Sequence, residues 1–171
     1  MVLPDSRLLE LIRELETIPH LQRLRLHTRL PVVIPDRVST ALLKGLKMTR
    51  FDTAIVVHIN HAQEIDAALA QNLEQLRQSG ALLLNQAVLL KGVNDTQEAQ
   101  IELCEKLFGC GVLPYYLHLL DRVQGAAHFE VPEPHALALY EELRSRLPGY
   151  LLPRLVREIS GEPYKSPVMR S

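Results

Sequence analysis

Four short apolar runs, beginning near Leu24, Ala54, Leu82 and Leu113, recur at intervals of about 30 residues, the length of one strand-plus-helix unit. Helical patterns separate them. Ile65, Leu69, Leu73 and Leu76 share one side of a helix that Ser79-Gly80 closes. Another helix is predicted from about Thr96 to Phe108, stopping at Gly109, and a third from Pro132 and Pro134 through Leu143. Asp36 is the predicted cap of a helix running to about Met48. Ahead of the first run, Leu8, Leu11, Ile12 and Leu15 fall on one helical face. Strand and helix in strict alternation specify an α/β fold with a parallel sheet. Thr53-Ala54-Ile55-Val56-Val57 is continuous and β-branched, as a strand buried on both faces should be.

Each apolar run ends in polar residues: His27, Thr28 and Arg29; His58, Asn60 and His61; Asn85 and Gln86; His118 and Asp121. In parallel α/β folds ligands bind beyond the C-terminal ends of the strands. Strand ends that merely meet water favour Lys, Glu and Ser, whereas this set suits hydrogen bonding to a ligand.

Composition narrows the class. At 171 residues and 47% hydrophobic, the chain fits one domain with a sizeable core. Aromatics are only 5% and Trp is absent, which suits helices and buried strands better than a β-sandwich. The net charge of −1, without long runs of one sign, argues against a nucleic-acid-binding or polybasic membrane-binding protein. Apolar stretches are interrupted by Asn85, Gln86, Lys91 or His118, so no membrane span is predicted. With no signal-peptide pattern, the expectation is a cytoplasmic protein. Cys104 and Cys110 have neither disulfide-framework nor zinc-site spacing and are expected to be idle thiols.

Four units are too few for a closed eight-stranded barrel of about 250 residues, and no glycine-rich phosphate loop marks a doubly wound domain. The chain opens at the helix of a βα unit, as the later portion of a barrel would. The first strand, near Leu24 to Thr28, should then lie at an exposed sheet edge, with Leu24 and Val57 among the barrel-facing side chains.

Specific blocks occur in order: Leu26-His27-Thr28-Arg29-Leu30-Pro31-Val32-Val33, His58-Ile59-Asn60-His61, Asn85-Gln86 through Lys91-Gly92-Val93-Asn94-Asp95, Pro114-Tyr115-Tyr116-Leu117-His118-Leu119-Leu120-Asp121, and Gly125-Ala126-Ala127-His128-Phe129. With Leu152-Pro153-Arg154 and Lys165-Ser166-Pro167-Val168, they resemble the lysine 2,3-aminomutase family over nearly the whole chain. The nearest likeness is to the branch that makes β-lysine for modifying elongation factor P. The resemblance implies a radical S-adenosylmethionine isomerase that also uses pyridoxal phosphate and a [4Fe–4S] cluster, moving the amino group of lysine from C2 to C3. The implied fold is a partial TIM-type barrel, here the last four βα units of a six-stranded one. Residues 1–150 would form the barrel region, and 151–171 a C-terminal extended segment.

By the same resemblance, Lys165 would be the Schiff-base lysine for pyridoxal phosphate. Asp121 and Glu158 would hold the ammonium of substrate lysine, although the family pattern has Asp at the second position. His58 and Gln86 match positions that contact S-adenosylmethionine. Arg29 is the candidate for an anionic contact such as the cofactor phosphate, with structural pairing the competing reading. His61, His118 and His128 receive no role. The cluster-binding C-x-x-x-C-x-x-C is absent from this sequence, and Cys104 and Cys110 do not replace it. No resident metal site is expected, and the chain alone would be inactive. The partners this allows are a small amino acid, a second copy, or an N-terminal half of the enzyme. A non-catalytic half-barrel that binds a ligand or partner is the alternative.

Overall fold

The computed structural model describes residues 2–121 and 125–169. Six strands form one open sheet in the order β1-β2-β3-β4-β5-β6. They are β1 (Arg23–Thr28), β2 (Asp52–Val57), β3 (Leu82–Val88), β4 (Val112–His118), β5 (Arg154–Arg157) and β6 (Ser166–Pro167). The first five run parallel, and β6 returns antiparallel to β5. The helices are α1 (Asp5–Glu16), α2 (Leu30–Val33), α3 (Thr40–Met48), α4 (Ala67–Gln78), α5 (Gln97–Gly109) and α6 (Glu133–Arg146). Four βα units followed by β5 make the mostly parallel partial barrel, with β1 at its edge.

Local chemistry starts the helices. The side chains of Ser39, Asp66 and Thr96 accept the N–H groups of Leu42, Leu69 and Ala99 at 3.1, 2.8 and 3.3 Å. Asp36 is not the cap of α3. It lies in the 3₁₀ turn Pro35–Arg37, and Val38 leaves the helical region before Ser39 caps the helix. Across α3, Gly45 lies against Leu9 of α1, leaving no room for a Cβ at that position.

The helices cover one face of the sheet. Ile55, Val57, Leu83, Ala87, Leu117 and Leu155 join Leu42, Leu73, Leu103 and Leu143 in the core, with Leu24 and Leu26 packed against it. Side chains alternate along a strand, so the other face, called inner below, receives Arg25, His27, Val56, Leu84, Gln86, Tyr116, His118 and Val156. The expectation that Leu24 and Val57 face the barrel interior is therefore incorrect. Both point to the helices, and the inner face of β1 carries Arg23, Arg25 and His27 instead.

Strand β4 contains a bulge. Asn85 pairs with Pro114 but Gln86 pairs with Tyr116, leaving Tyr115 as the extra residue. Pro114 has no N–H for the ladder, which suits a break in pairing. From Leu113, simple alternation would turn Tyr115 and Leu117 inward. The bulge shifts the phase, so Tyr116 and His118 face inward and Leu117 returns to the helix side.

Candidate functional site

The site lies at the C-terminal ends of β1 to β5. Its scaffold is a set of asparagines whose polar atoms are satisfied. Asn85 Oδ1 accepts from the Ile59 N–H and its Nδ2 donates to the Ile59 carbonyl, both at 2.9 Å. Fully buried Asn94 accepts from the Leu90 N–H at 2.7 Å and donates to the Asn60 and Val88 carbonyls at 2.8 and 2.9 Å. Asn60 Oδ1 accepts from the Val88 N–H at 2.9 Å. The loops after β2 and β3 are thus tied to each other as well as to the sheet.

Against this scaffold, three buried side-chain atoms have no hydrogen-bond partner among the described residues: His58 Nε2, Gln86 Oε1 and His118 Nε2. All belong to the inner face. His27 stands edge-on to His58, with ring centroids 6.0 Å apart. Buried polar atoms are nearly always paired, so three orphans on one face mark a surface that is incomplete without a ligand.

The charges around them are also specific. Lys165 enters from the segment before β6, forms an ion pair with Glu158, and places Nζ 5.7 Å from the Tyr116 ring centroid. Hydrogen bonding and charge from Lys165 hold the Glu158 carboxyl below its usual range. Burial, with the Lys165 charge nearby, pushes the His118 imidazole down to about 4. Burial and the Arg29 and Lys165 charges lower His58; burial, Arg25, His58 and Lys165 lower His27. These imidazoles are thus neutral at neutral pH.

The remaining candidates fall into two groups. Asp121 and Glu158 line one cleft of about 760 Å³, together with Glu133 and Arg157. Lys165 lines a second, of about 560 Å³, with Tyr116, Tyr140 and Arg154. The Glu158–Lys165 ion pair therefore joins the walls of the two clefts. Arg29 stands apart from Lys165. Its guanidinium donates to the His58 carbonyl at 3.0 Å and pairs with Glu64 at 2.5 Å. Glu64 also accepts from the Asn60 and His61 N–H groups at 2.7 and 3.0 Å.

Sequence reasoning leaves out Tyr116, Glu64 and the role of His118. The pattern Tyr116-x-His118, two polar-tipped rings on one side of a strand, was the available signal.

The donor sets differ in what they fit. The amine of Lys165, beside a carboxylate and an aromatic face, fits a carbonyl ligand such as pyridoxal phosphate. The orphan atoms of His58 and Gln86 fit a polar ligand such as S-adenosylmethionine. An iron–sulfur cluster does not fit the described residues, where no group of three or more His, Cys, Asp or Glu is placed to hold a metal ion. Cys104 is buried and its thiol is pushed up to about 12, far from a cluster thiolate. Among the described residues no helix is long and apolar enough to cross a membrane.

No protein-family model matches the chain. Curated relatives do. An L-lysine 2,3-aminomutase of Haemophilus influenzae is 53% identical over 162 residues, 95% of this chain and 48% of that protein. The protein of the same name in Escherichia coli is 48% identical over 96% of this chain and 48% of its own length. That of Clostridium subterminale is 35% identical over 99% of this chain and 40% of its own. The chain spans about half the length of the curated relatives it matches. Over that aligned stretch, which is nearly all of its own sequence, the chain is similar to proteins named L-lysine 2,3-aminomutase.

Proposed function

We propose that the chain is the amino-acid-facing portion of an L-lysine 2,3-aminomutase that converts L-lysine to β-lysine, serving elongation factor P modification. The observation that carries this reading is the gathering of Lys165, Glu158 and three orphaned polar atoms at the strand ends, in a chain 53% identical to a protein of that name. When bound, pyridoxal phosphate supplies a carbonyl and an electron-withdrawing ring, and S-adenosylmethionine a radical precursor.

The chain's own residues bind and orient. Lys165 presents the amine that captures the carbonyl, from the extended segment 151–171 set against the barrel region that precedes it. Asp121 and Glu158, on one cleft, hold the side-chain ammonium of lysine by charge-assisted hydrogen bonds. His58 and Gln86 offer their free Nε2 and Oε1 to S-adenosylmethionine. Arg29 fixes the His58 carbonyl and meets an anion by sharing its guanidinium with Glu64. The cluster that starts radical chemistry requires thiolates from outside the described residues.

Incubation with pyridoxal phosphate, borohydride reduction and peptide mapping test the assignment. Label on Lys165 is expected, and L-lysine should protect it at lower concentration than norleucine, which lacks the distal ammonium. Label on Lys44 or Lys91 instead refutes the lysine assignment. Equal protection by the two amino acids refutes the roles of Asp121 and Glu158.

A further inference from the structure

His118 is 5% exposed, and its Nε2 has no partner among the described residues. Other buried polar groups nearby are tied by geometry, as Asn85 and Asn94 show. His118 is different although its backbone is anchored: its carbonyl accepts the Leu89 N–H at 2.8 Å. The backbone is thus held in place, the ring is buried, and its Nε2 is left open.

We propose that His118 is a further ligand-contacting residue, whose Nε2 hydrogen-bonds a polar atom of the carbonyl ligand that Lys165 captures. This rests on the proposed function above and adds a contact to it. Two independent features of the fold support it. The first is the bulge at Tyr115, without which His118 would face the helices. Bulges recur beside binding sites because they re-aim a side chain in this way. The second is the shared ring of Tyr116. It stands edge-on to His118 with centroids 5.7 Å apart, and Lys165 Nζ lies 5.7 Å from the same ring. One aromatic side chain therefore positions the capturing amine and the open imidazole together.

The surroundings select a neutral imidazole. Val88 and Val156 flank His118 in the register, so the walls on either side are apolar. Burial opposes a charged ring there, and the Lys165 charge adds to it against the smaller opposing pull of the Glu158 carboxylate. A neutral imidazole donates or accepts through Nε2 according to its tautomer, without competing with Lys165 for the Glu158 carboxylate.

The test uses the 171-residue chain, with pyridoxal phosphate as probe. His118→Leu removes an unpaired buried atom, so the ligand-free variant should melt higher than wild type. Its half-saturation for pyridoxal phosphate, read from ligand absorbance and from borohydride label on Lys165, should rise about tenfold, the equivalent of one hydrogen bond. His118→Gln carries an amide nitrogen near the Nε2 position and should restore binding to within about threefold of wild type. Unchanged half-saturation in His118→Leu, with Lys165 still labelled, overturns the proposal and leaves the proposed function standing. Lower stability together with weaker binding that Gln does not restore makes the residue structural and also overturns it. A wild-type chain unlabelled at Lys165 removes both readings.

Discussion

Asn85 and Gln86 are adjacent in β3, both are amides, and they do opposite things. Asn85 points to the helix-covered face and uses both ends of its side chain on the backbone of Ile59. Gln86 points to the inner face and leaves Oε1 buried without a partner among the described residues. The contrast extends along the sheet. On one face Leu83, Ala87, Leu117 and Leu155 close a dry core; on the other His58, Gln86 and His118 present open polar atoms. Burial alone does not identify a functional group. A buried polar atom with its bonds made is architecture, whereas one without them is stability withheld from the free protein and available to a ligand.

Mutation should divide the two classes. Asn94→Ala should have the largest effect, because three hydrogen bonds vanish and the backbone groups of Leu90, Asn60 and Val88 lose their partner. A loss of about 4 kcal/mol in denaturant unfolding is expected. Asn85→Leu should follow at about 3 kcal/mol, since it orphans the N–H and carbonyl of Ile59. Gln86→Leu, one residue on, should leave unfolding within about 1 kcal/mol of wild type or raise it. A tolerated Asn85→Leu beside a destabilising Gln86→Leu would break the distinction between the faces.

Acid sharpens it further. His118 is held neutral in the folded chain, down to about 4, against an ordinary value of 6.5. The unfolded chain therefore binds the extra proton first, and stability falls as pH drops from 6.5 toward 4. His58 and His27 are lowered in the same direction and add to the slope. Glu158 is also lowered, but as a carboxylate its contribution is lost only below its ordinary value of 4.5, as it takes up a proton. The histidine window should cost on the order of 3 kcal/mol, most of it from His118. Urea midpoints between pH 7 and 4 measure it, and His118→Leu should flatten the curve. An unflattened curve would place the acid sensitivity outside the inner face.

The architecture is readable in the order of residues because four βα units repeat a pattern that no other arrangement buries well. Facing is harder to read. In β1 the alternation Arg23-Leu24-Arg25-Leu26-His27 carries a phase, whereas Ala54-Ile55-Val56-Val57 in β2 is aliphatic throughout and alternation gives none. In β2 the phase appears only at the polar tip, His58. In β4 the bulge at Tyr115 reverses the phase midway, which no period-two count anticipates. The polar pair Asn85-Gln86 imitates a strand end, yet β3 continues to Val88 because Asn85 is satisfied inside the fold. Lys165 and Glu158, seven positions apart on either side of a chain reversal, come together through the antiparallel pairing of β5 and β6. Only the family resemblance points to that pair in advance.

Arg29 carries the smallest expected effect and tests the scaffold side of the comparison. Its partner Glu64 lies 35 positions later, so the sequence offers both an anion contact and structural pairing for Arg29 and names no partner for the second. The Arg29 side chain is 44% exposed, so the pair is screened by solvent and should contribute under about 1 kcal/mol. Glu64 keeps two backbone N–H bonds without it, at Asn60 and His61, and the turn after β2 should hold. The consequence of Arg29→Gln should instead be local. The His58 carbonyl loses its donor at 3.0 Å, and the nearby cation that lowers the His58 imidazole is removed. NMR titration should therefore show His58 moving toward its ordinary value while the urea midpoint stays almost fixed. A large drop in stability would make Arg29 a structural keystone. A His58 titration indifferent to the change would mean that burial and the Lys165 charge hold that ring neutral without Arg29.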